Sequence, residues 1–132
     1  MSQGDRSAMD EKRVSEIKQD LEEVFGTGNV ALLPVNDGSV YFKIGKAPLA
    51  IGCIPSETPV LIVFRQNNPQ PETYVAQGIL LSTGRTPNKG ISPAQVIGEP
   101  WLSFSYTCPW DPARDKVSKF ILSRLSRFSL ND

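Results

Sequence analysis

The sequence predicts an α+β domain, and three features carry that prediction. Near the N-terminus, Met9, Val14, Ile17, Leu21 and Val24 recur at helical spacing and form one apolar stripe. The middle of the chain is a succession of short β-branched and aromatic runs separated by Gly, Pro, Asn and Asp. A second helical stripe, Val117, Phe120, Ile121, Leu125 and Phe128, lies close to the C-terminal end. A helix, then strands in series, then a helix is the pattern of an antiparallel sheet with its helices set apart from the strands.

Taken in order, Met1 to Arg6 are polar and are expected to be disordered, leaving residues 7–129 as a single domain. Ser7 and Asp10 have capping-box spacing for the first helix, and Gly26 supplies its stop. The other face of that helix carries Glu11, Lys12, Arg13, Glu16, Lys18, Asp20 and Glu22, a mixed-charge surface that reads as solvated. Asn29–Val35 and Val40–Ile44 flank Asn36, Asp37, Gly38 and Ser39, a turn with hairpin chemistry. Leu49–Ile54 and Pro59–Phe64, joined through Ser56, Glu57 and Thr58, make the next pair, so the sheet reads as an antiparallel four-stranded meander. Pro69 and Pro71 bound a turn ahead of Tyr74 and Val75, and Gly78–Ser82 is placed as an extension of the sheet edge. Residues 83–100 show little periodicity and are expected to be irregular, the kind of segment that is often functional in a compact domain. A short strand through Trp101, Phe104 and Tyr106 follows, and then the last helix. Asp111 is its expected N-cap, Pro112 its first position and Asp115 an acidic residue in its first turn, with Arg114, Lys119, Arg124 and Arg127 directed outward.

Composition excludes several functions. At 132 residues the chain can bury roughly two thirds of its unfolded surface without metal or disulfide support. Its net charge of zero and lack of a basic stripe argue against nucleic acid as a partner. It has no apolar run long enough for a bilayer and no signal-peptide pattern, so neither a membrane association nor export is expected. The two cysteines, Cys53 and Cys108, are far apart and do not form a disulfide framework, which points to free thiols and a cytoplasmic setting. Histidine is absent, which dismisses a histidine-based triad and a conventional zinc site, and no metal or small cofactor is expected.

The chemistry that remains centres on the stretch before the last helix. Cys108 lies just ahead of the expected helix start, where the partial positive charge of a helix N-terminus lowers a thiol pKa and favours the nucleophilic thiolate. A small residue wedged between Tyr106 and Trp110 in a packed corner explains the same cysteine. Cys53, inside the apolar run Leu49–Ile54, reads as core. Ser105 and Ser103 are alternative nucleophiles, but a hydroxyl needs a neighbouring base, and without histidine only Asp111, Asp115 or a lysine can serve.

Three segments carry a family resemblance: Gly84-Arg85-Thr86-Pro87-Asn88, Trp101-Leu102-Ser103-Phe104-Ser105 and Trp110-Asp111-Pro112-Ala113-Arg114-Asp115. In order and approximate spacing they resemble a bacterial branch of the ubiquitin-conjugating-enzyme superfamily, prokaryotic family E, whose pattern runs Gly-Arg-x-Pro-Gln, Trp-Gln-x-Trp/Phe-Ser and Trp-x-Pro-Gly-x-Asp. The Trp-Asp-Pro-Ala turn is also similar to the Trp-Ser-Pro-Ala turn of the ubiquitin-conjugating enzymes themselves. The segment of Pro69, Pro71 and Tyr74 resembles their proline-rich turn. Thr86-Pro87-Asn88 stands at their His-Pro-Asn motif, and Cys108 stands closer to the tryptophan than their cysteine does.

The resemblance implies a ubiquitin-conjugating-enzyme-like fold and a carrier of a bacterial conjugation pathway. Such a carrier accepts a ubiquitin-like protein from an activating enzyme as a thioester, or as an oxyester on serine, and passes it to an amine on a target protein. It implies Cys108 or Ser105 as nucleophile and Asn88 as a donor to the oxyanion, an effect worth about 3 kcal/mol for a well-placed donor. Asp111 or Asp115 would orient or deprotonate the amine. The first helix becomes a docking face for the activating enzyme. Read without the resemblance, Pro87-Asn88 before Lys89-Gly90 is an ordinary turn. A non-catalytic interaction module or an α/β chaperone of similar shape is the alternative function.

Overall fold

The apolar stripe near the N-terminus forms the helix α1, Glu11–Phe25, with Ile17 and Leu21 fully buried. The computed structural model describes residues 11–35, 37–65, 68, 70–87, 90–105, 110–111 and 114–130. The expected capping box at Ser7 and Asp10 lies outside the described residues. Gly26, at φ 106°, ends α1 where a side chain would be strained, and its N–H donates to the Glu22 carbonyl at 2.8 Å. Asn29 then ties the helix end to the sheet. Its Nδ2 donates to the carbonyls of Phe25 (3.0 Å) and Lys46 (2.7 Å), and its Oδ1 accepts the Lys46 N–H at 2.9 Å. A Cβ at Gly45 would stand 2.9 Å from Asn29 Oδ1, so a larger residue there would have to displace this amide.

Among the described residues six strands follow: β1 Val30–Leu32, β2 Val40–Pro48, β3 Glu57–Phe64, β4 Glu72–Val75, β5 Ile91–Val96 and β6 Glu99–Phe104. They form one antiparallel sheet in the order β1-β2-β3-β4-β6-β5. The helix α2, Val117–Ser126, closes the fold and runs into a 3-10 turn at Arg127–Leu130. The protein is thus an α+β domain with an N-terminal helix, a six-stranded antiparallel sheet and a C-terminal helix.

The expectation of four strands is corrected in two places. Leu49–Ile54 is not a strand. The β2 strand itself runs on to Pro48, and the chain then turns through Ile51 and Gly52, leaving Ile51 99% exposed and Ile54 joined to Leu80 by a single bridge. The apolar run in the sequence therefore reflects a loop that buries only Leu49 and Cys53. The supposedly irregular stretch 83–100 contains β5 and the start of β6. They join at Ile97 (φ 46°) and Gly98 (φ 75°), the paired positive φ of a tight hairpin turn. Pro93 conceals the strand pattern, yet it is tolerated because β5 is an edge strand.

Both faces of the sheet are covered. Val60, Ile62 and Phe64 of β3 point toward the helices, joining Phe42, Ile44, Phe104, Phe120, Ile121 and Leu125. Leu61 and Val63 point the other way, joining Tyr41, Tyr74, Val96 and Trp101. This explains why Val60–Phe64 is an unbroken apolar run, since a central strand buried on both sides has no polar face to alternate with.

The edge of the second layer is an ionic network. Arg65 Nε meets Glu72 Oε1 at 3.1 Å, and Arg65 Nη1 donates to the Tyr41 hydroxyl at 3.0 Å. The Tyr74 hydroxyl donates to Glu72 Oε1 and the Tyr41 hydroxyl to Asp37 Oδ2, each at 2.6 Å. Burial, assisted by the Glu72 carboxylate, pushes the Tyr74 phenol from 10.0 up to about 12. Because the folded state holds this proton more tightly than the unfolded chain, its contribution is complete below pH 10 and lost as pH rises toward 12. Over that window stability should fall by roughly 2 kcal/mol more in the native protein than in Tyr74→Phe. Urea titrations of both proteins at pH 9 and pH 11.5 measure the difference, and equal losses would refute the assignment.

Candidate functional site

The segment between β6 and α2 contains most of the residues to which the sequence assigns chemistry. Strand β6 fixes its upstream end. Trp101 and Phe104 lie on opposite faces of the sheet, in the second layer and the helix-side core respectively. The Phe104 carbonyl accepts from Thr73 Oγ1 at 2.6 Å and from Arg124 Nη1 at 3.4 Å. Ser105 follows immediately, exposed, with its N–H donating to the Gly90 carbonyl at 3.1 Å. Asn88 and Cys108 lie outside the described residues. Of the motif before Asn88, Pro87 is buried and Thr86 exposed.

Trp110 fixes the downstream end. Its indole lies 4.6 Å from the Phe120 ring, and its Nε1–H donates to the Lys116 carbonyl at 3.2 Å. Next, the chain closes on itself. The Asp111 carbonyl accepts the N–H groups of Arg114 (3.0 Å) and Asp115 (2.7 Å), while Asp115 Oδ2 accepts the Asp111 N–H at 2.9 Å. That last hydrogen bond, together with Lys119 at 3.5 Å, holds the Asp115 carboxyl below its ordinary value of 3.8. Asp115 is therefore anionic throughout the neutral range and a weak base. It can orient an approaching amine better than it can deprotonate one.

The last helix does not start where the sequence places it. Asp111 is not its N-cap. The helix begins at Val117, after Lys116, which makes no side-chain capping bond. The capping carboxylate arrives from α1 instead. Asp20 Oδ2 accepts the Ser118 N–H at 2.9 Å, and Asp20 Oδ1 accepts the Ser118 hydroxyl at 2.6 Å. A residue expected on a solvated face is thus the anion at the positive end of α2, joining the two helices where they meet. The helix terminus expected to activate Cys108 is displaced along the chain and already has its counter-charge.

Arg124 is a second correction. It does not look outward. Only 5% exposed, its Nη1 donates to Thr73 Oγ1 at 2.7 Å and its guanidinium lies 4.4 Å from the Phe120 ring centroid. The sequence did contain the signal, because position 124 falls on the i+7 place of the stripe that begins at Val117.

The two clefts near this segment do not unite the candidate residues. Ser105 lines a polar cleft of about 340 Å³ with Asn68, Gln70, Thr73, Tyr74 and Arg124. Asp115 lines another, of about 390 Å³, between α1 and the start of α2, with Arg13, Glu16, Asp20 and Arg114. Among the described residues, no carboxylate or amine hydrogen-bonds the Ser105 hydroxyl, so nothing there activates it as a nucleophile. Cys53 is the core residue expected of it, 6% exposed, with burial pushing its thiol up. Any thiol chemistry therefore falls to Cys108.

No family model matches the chain, and comparison with curated proteins and with solved structures found no significant match. Among the described residues, no helix is long and apolar enough to cross a membrane.

Proposed function

We propose that this domain is a carrier in a bacterial ubiquitin-like conjugation pathway, with a ubiquitin-conjugating-enzyme-like fold. The observation that carries the reading is how the second and third motif segments divide their residues. Their aromatic members serve packing, with Trp101 and Phe104 in the two sheet layers and Trp110 on Phe120. Ser105 and Asp111 stand exposed, and Asp115 is partly so, all between β6 and α2. Packing accounts for the aromatic frame, and the reading assigns the exposed polar residues to chemistry.

In this reading the Cys108 thiolate attacks the activated C-terminal carbonyl that the ubiquitin-like protein presents on its activating enzyme. A new C–S bond forms and the activating enzyme's thiolate departs. An amine of the target then attacks the carbonyl, the C–N bond forms, the C–S bond breaks, and the amine proton passes to solvent. Asn88 steadies the oxyanion and the Asp115 carboxylate orients the amine. No metal or cofactor takes part.

The test combines the protein with a bacterial activating enzyme, the ubiquitin-like protein that enzyme activates, and ATP. A thiol-reducible adduct that forms with the native chain and disappears in Cys108→Ala is expected. An adduct that persists in Cys108→Ala and yields only to alkali assigns an oxyester on serine instead, and Ser105→Ala tells Ser105 from Ser103.

One observation favours a second reading, a non-catalytic interaction module: the positive end of α2 begins at Val117 and is occupied by Asp20. In that case Cys108 should react with iodoacetamide only in the ordinary thiol range, and no adduct should form under any condition.

A further inference from the structure

We infer that Arg124 is a positioning residue, holding in one geometry both ends of the stretch that joins β6 to the Trp110 turn. The inference rests on the carrier reading for its functional meaning, though its geometry stands apart from it. Two separate chains of contact meet at this guanidinium. Toward the upstream end, Arg124 Nη1 donates to Thr73 Oγ1 at 2.7 Å and to the Phe104 carbonyl at 3.4 Å, and Thr73 Oγ1 itself donates to that carbonyl at 2.6 Å. The Phe104 carbonyl is the last one before Ser105. Toward the downstream end, the guanidinium faces Phe120 at 4.4 Å, and Phe120 carries the Trp110 indole at 4.6 Å. Phe104 and Trp110 are thus linked through two stacked side chains on α2, Arg124 and Phe120.

The chemistry of arginine suits this task. Its planar fork aligns hydrogen bonds to a hydroxyl and a carbonyl while its flat face lies against an aromatic ring. Lysine can supply the charge but neither the fork nor the face. A methionine, of similar bulk, would fill the space and drop every polar contact. Burying a guanidinium carries a desolvation cost that an apolar residue at this stripe position would avoid. Its presence is explained if the benefit is the placement of a reactive segment.

The test follows two protons that report on the two ends: the Ser105 amide, which donates to Gly90, and the Trp110 indole Nε1–H, which donates to Lys116. Their hydrogen exchange is measured by NMR in the native protein, Arg124→Met and Arg124→Lys, with the Ile62 amide in the central strand as internal reference. In Arg124→Met both should exchange about tenfold faster relative to Ile62, and Arg124→Lys should fall between that variant and the native protein. A loss of stability alone would speed Ile62 by the same factor. Uniform acceleration, or no change at either reporter, overturns the proposal. Adduct formation is read in parallel, and a loading rate about tenfold lower in Arg124→Met is expected. If the native protein loads and Arg124→Met loads equally well, the positioning role is overturned while the carrier reading stands. If the native protein never loads, the carrier reading fails, and the exchange data alone decide whether Arg124 holds the segment. Should Arg124→Met not fold, Arg124→Lys decides alone: both reporters should still accelerate relative to Ile62, and unchanged or uniform rates overturn the proposal.

Discussion

Phe120→Ala is expected to lower the unfolding free energy by about 3–5 kcal/mol, toward the upper part of the range for deleting a buried aromatic ring. Phe120 is 1% exposed in the core between α2 and the sheet, so the transfer and cavity costs are both in force. Two further losses add to them. The Trp110 indole loses the ring it lies against at 4.6 Å, and the Arg124 guanidinium loses its aromatic face at 4.4 Å. Phe120→Leu restores most of the volume but not the flat face, and it should recover part of the stability while Trp110 fluorescence shifts as it does in Phe120→Ala. Urea denaturation measures the first effect. A loss below about 1.5 kcal/mol would mean that the ring is not a central contact.

Asp20→Ala is expected to cost about 1–2 kcal/mol although Asp20 belongs to one helix and caps another. The carboxylate satisfies the Ser118 N–H and the Ser118 hydroxyl, and Ser118 is buried, so its removal leaves polar groups without a partner in a place water reaches poorly. Asp20→Asn should cost less, because an amide oxygen still accepts from the N–H while the charge at the helix end is lost. The effect should couple to Ser118. In a double-mutant cycle, Asp20→Ala should cost clearly less in a Ser118→Ala background than in the native chain. Strict additivity would show that the two residues act separately.

The elements most legible in the sequence were those governed by one strong periodicity. The stripes through Ile17 and Leu21 and through Val117 and Phe120 mark α1 and α2, and the Asp37-Gly38 turn marks the β1–β2 hairpin. The missed strands reflect physical masking. Pro93 breaks the β-pattern of β5 but is harmless at a sheet edge, and the apolar run Leu49–Ile54 resembles a strand although its residues serve a loop. The start of α2 lies later than the local pattern places it because the Asp115 carboxylate accepts the Asp111 N–H in a turn and the Asp111 carboxylate faces Arg114. The actual cap is Asp20, 98 residues away in sequence, and no local pattern can announce such a pairing. Arg124 was legible in principle from its place on the apolar stripe, but the habit of assigning arginine to solvent hid it.

The most direct test of the carrier account is to trap the adduct, digest it with trypsin and locate the modified residue by mass spectrometry. Cleavage after Lys89 and Arg114 gives one peptide holding both Ser105 and Cys108, whereas Cys53 falls between Lys46 and Arg65. The account expects the ubiquitin-like C-terminus on the first peptide, at Cys108 and released by thiol. Modification confined to the Cys53 peptide, or no modified peptide from any native preparation supplied with activating enzyme and ATP, would contradict it.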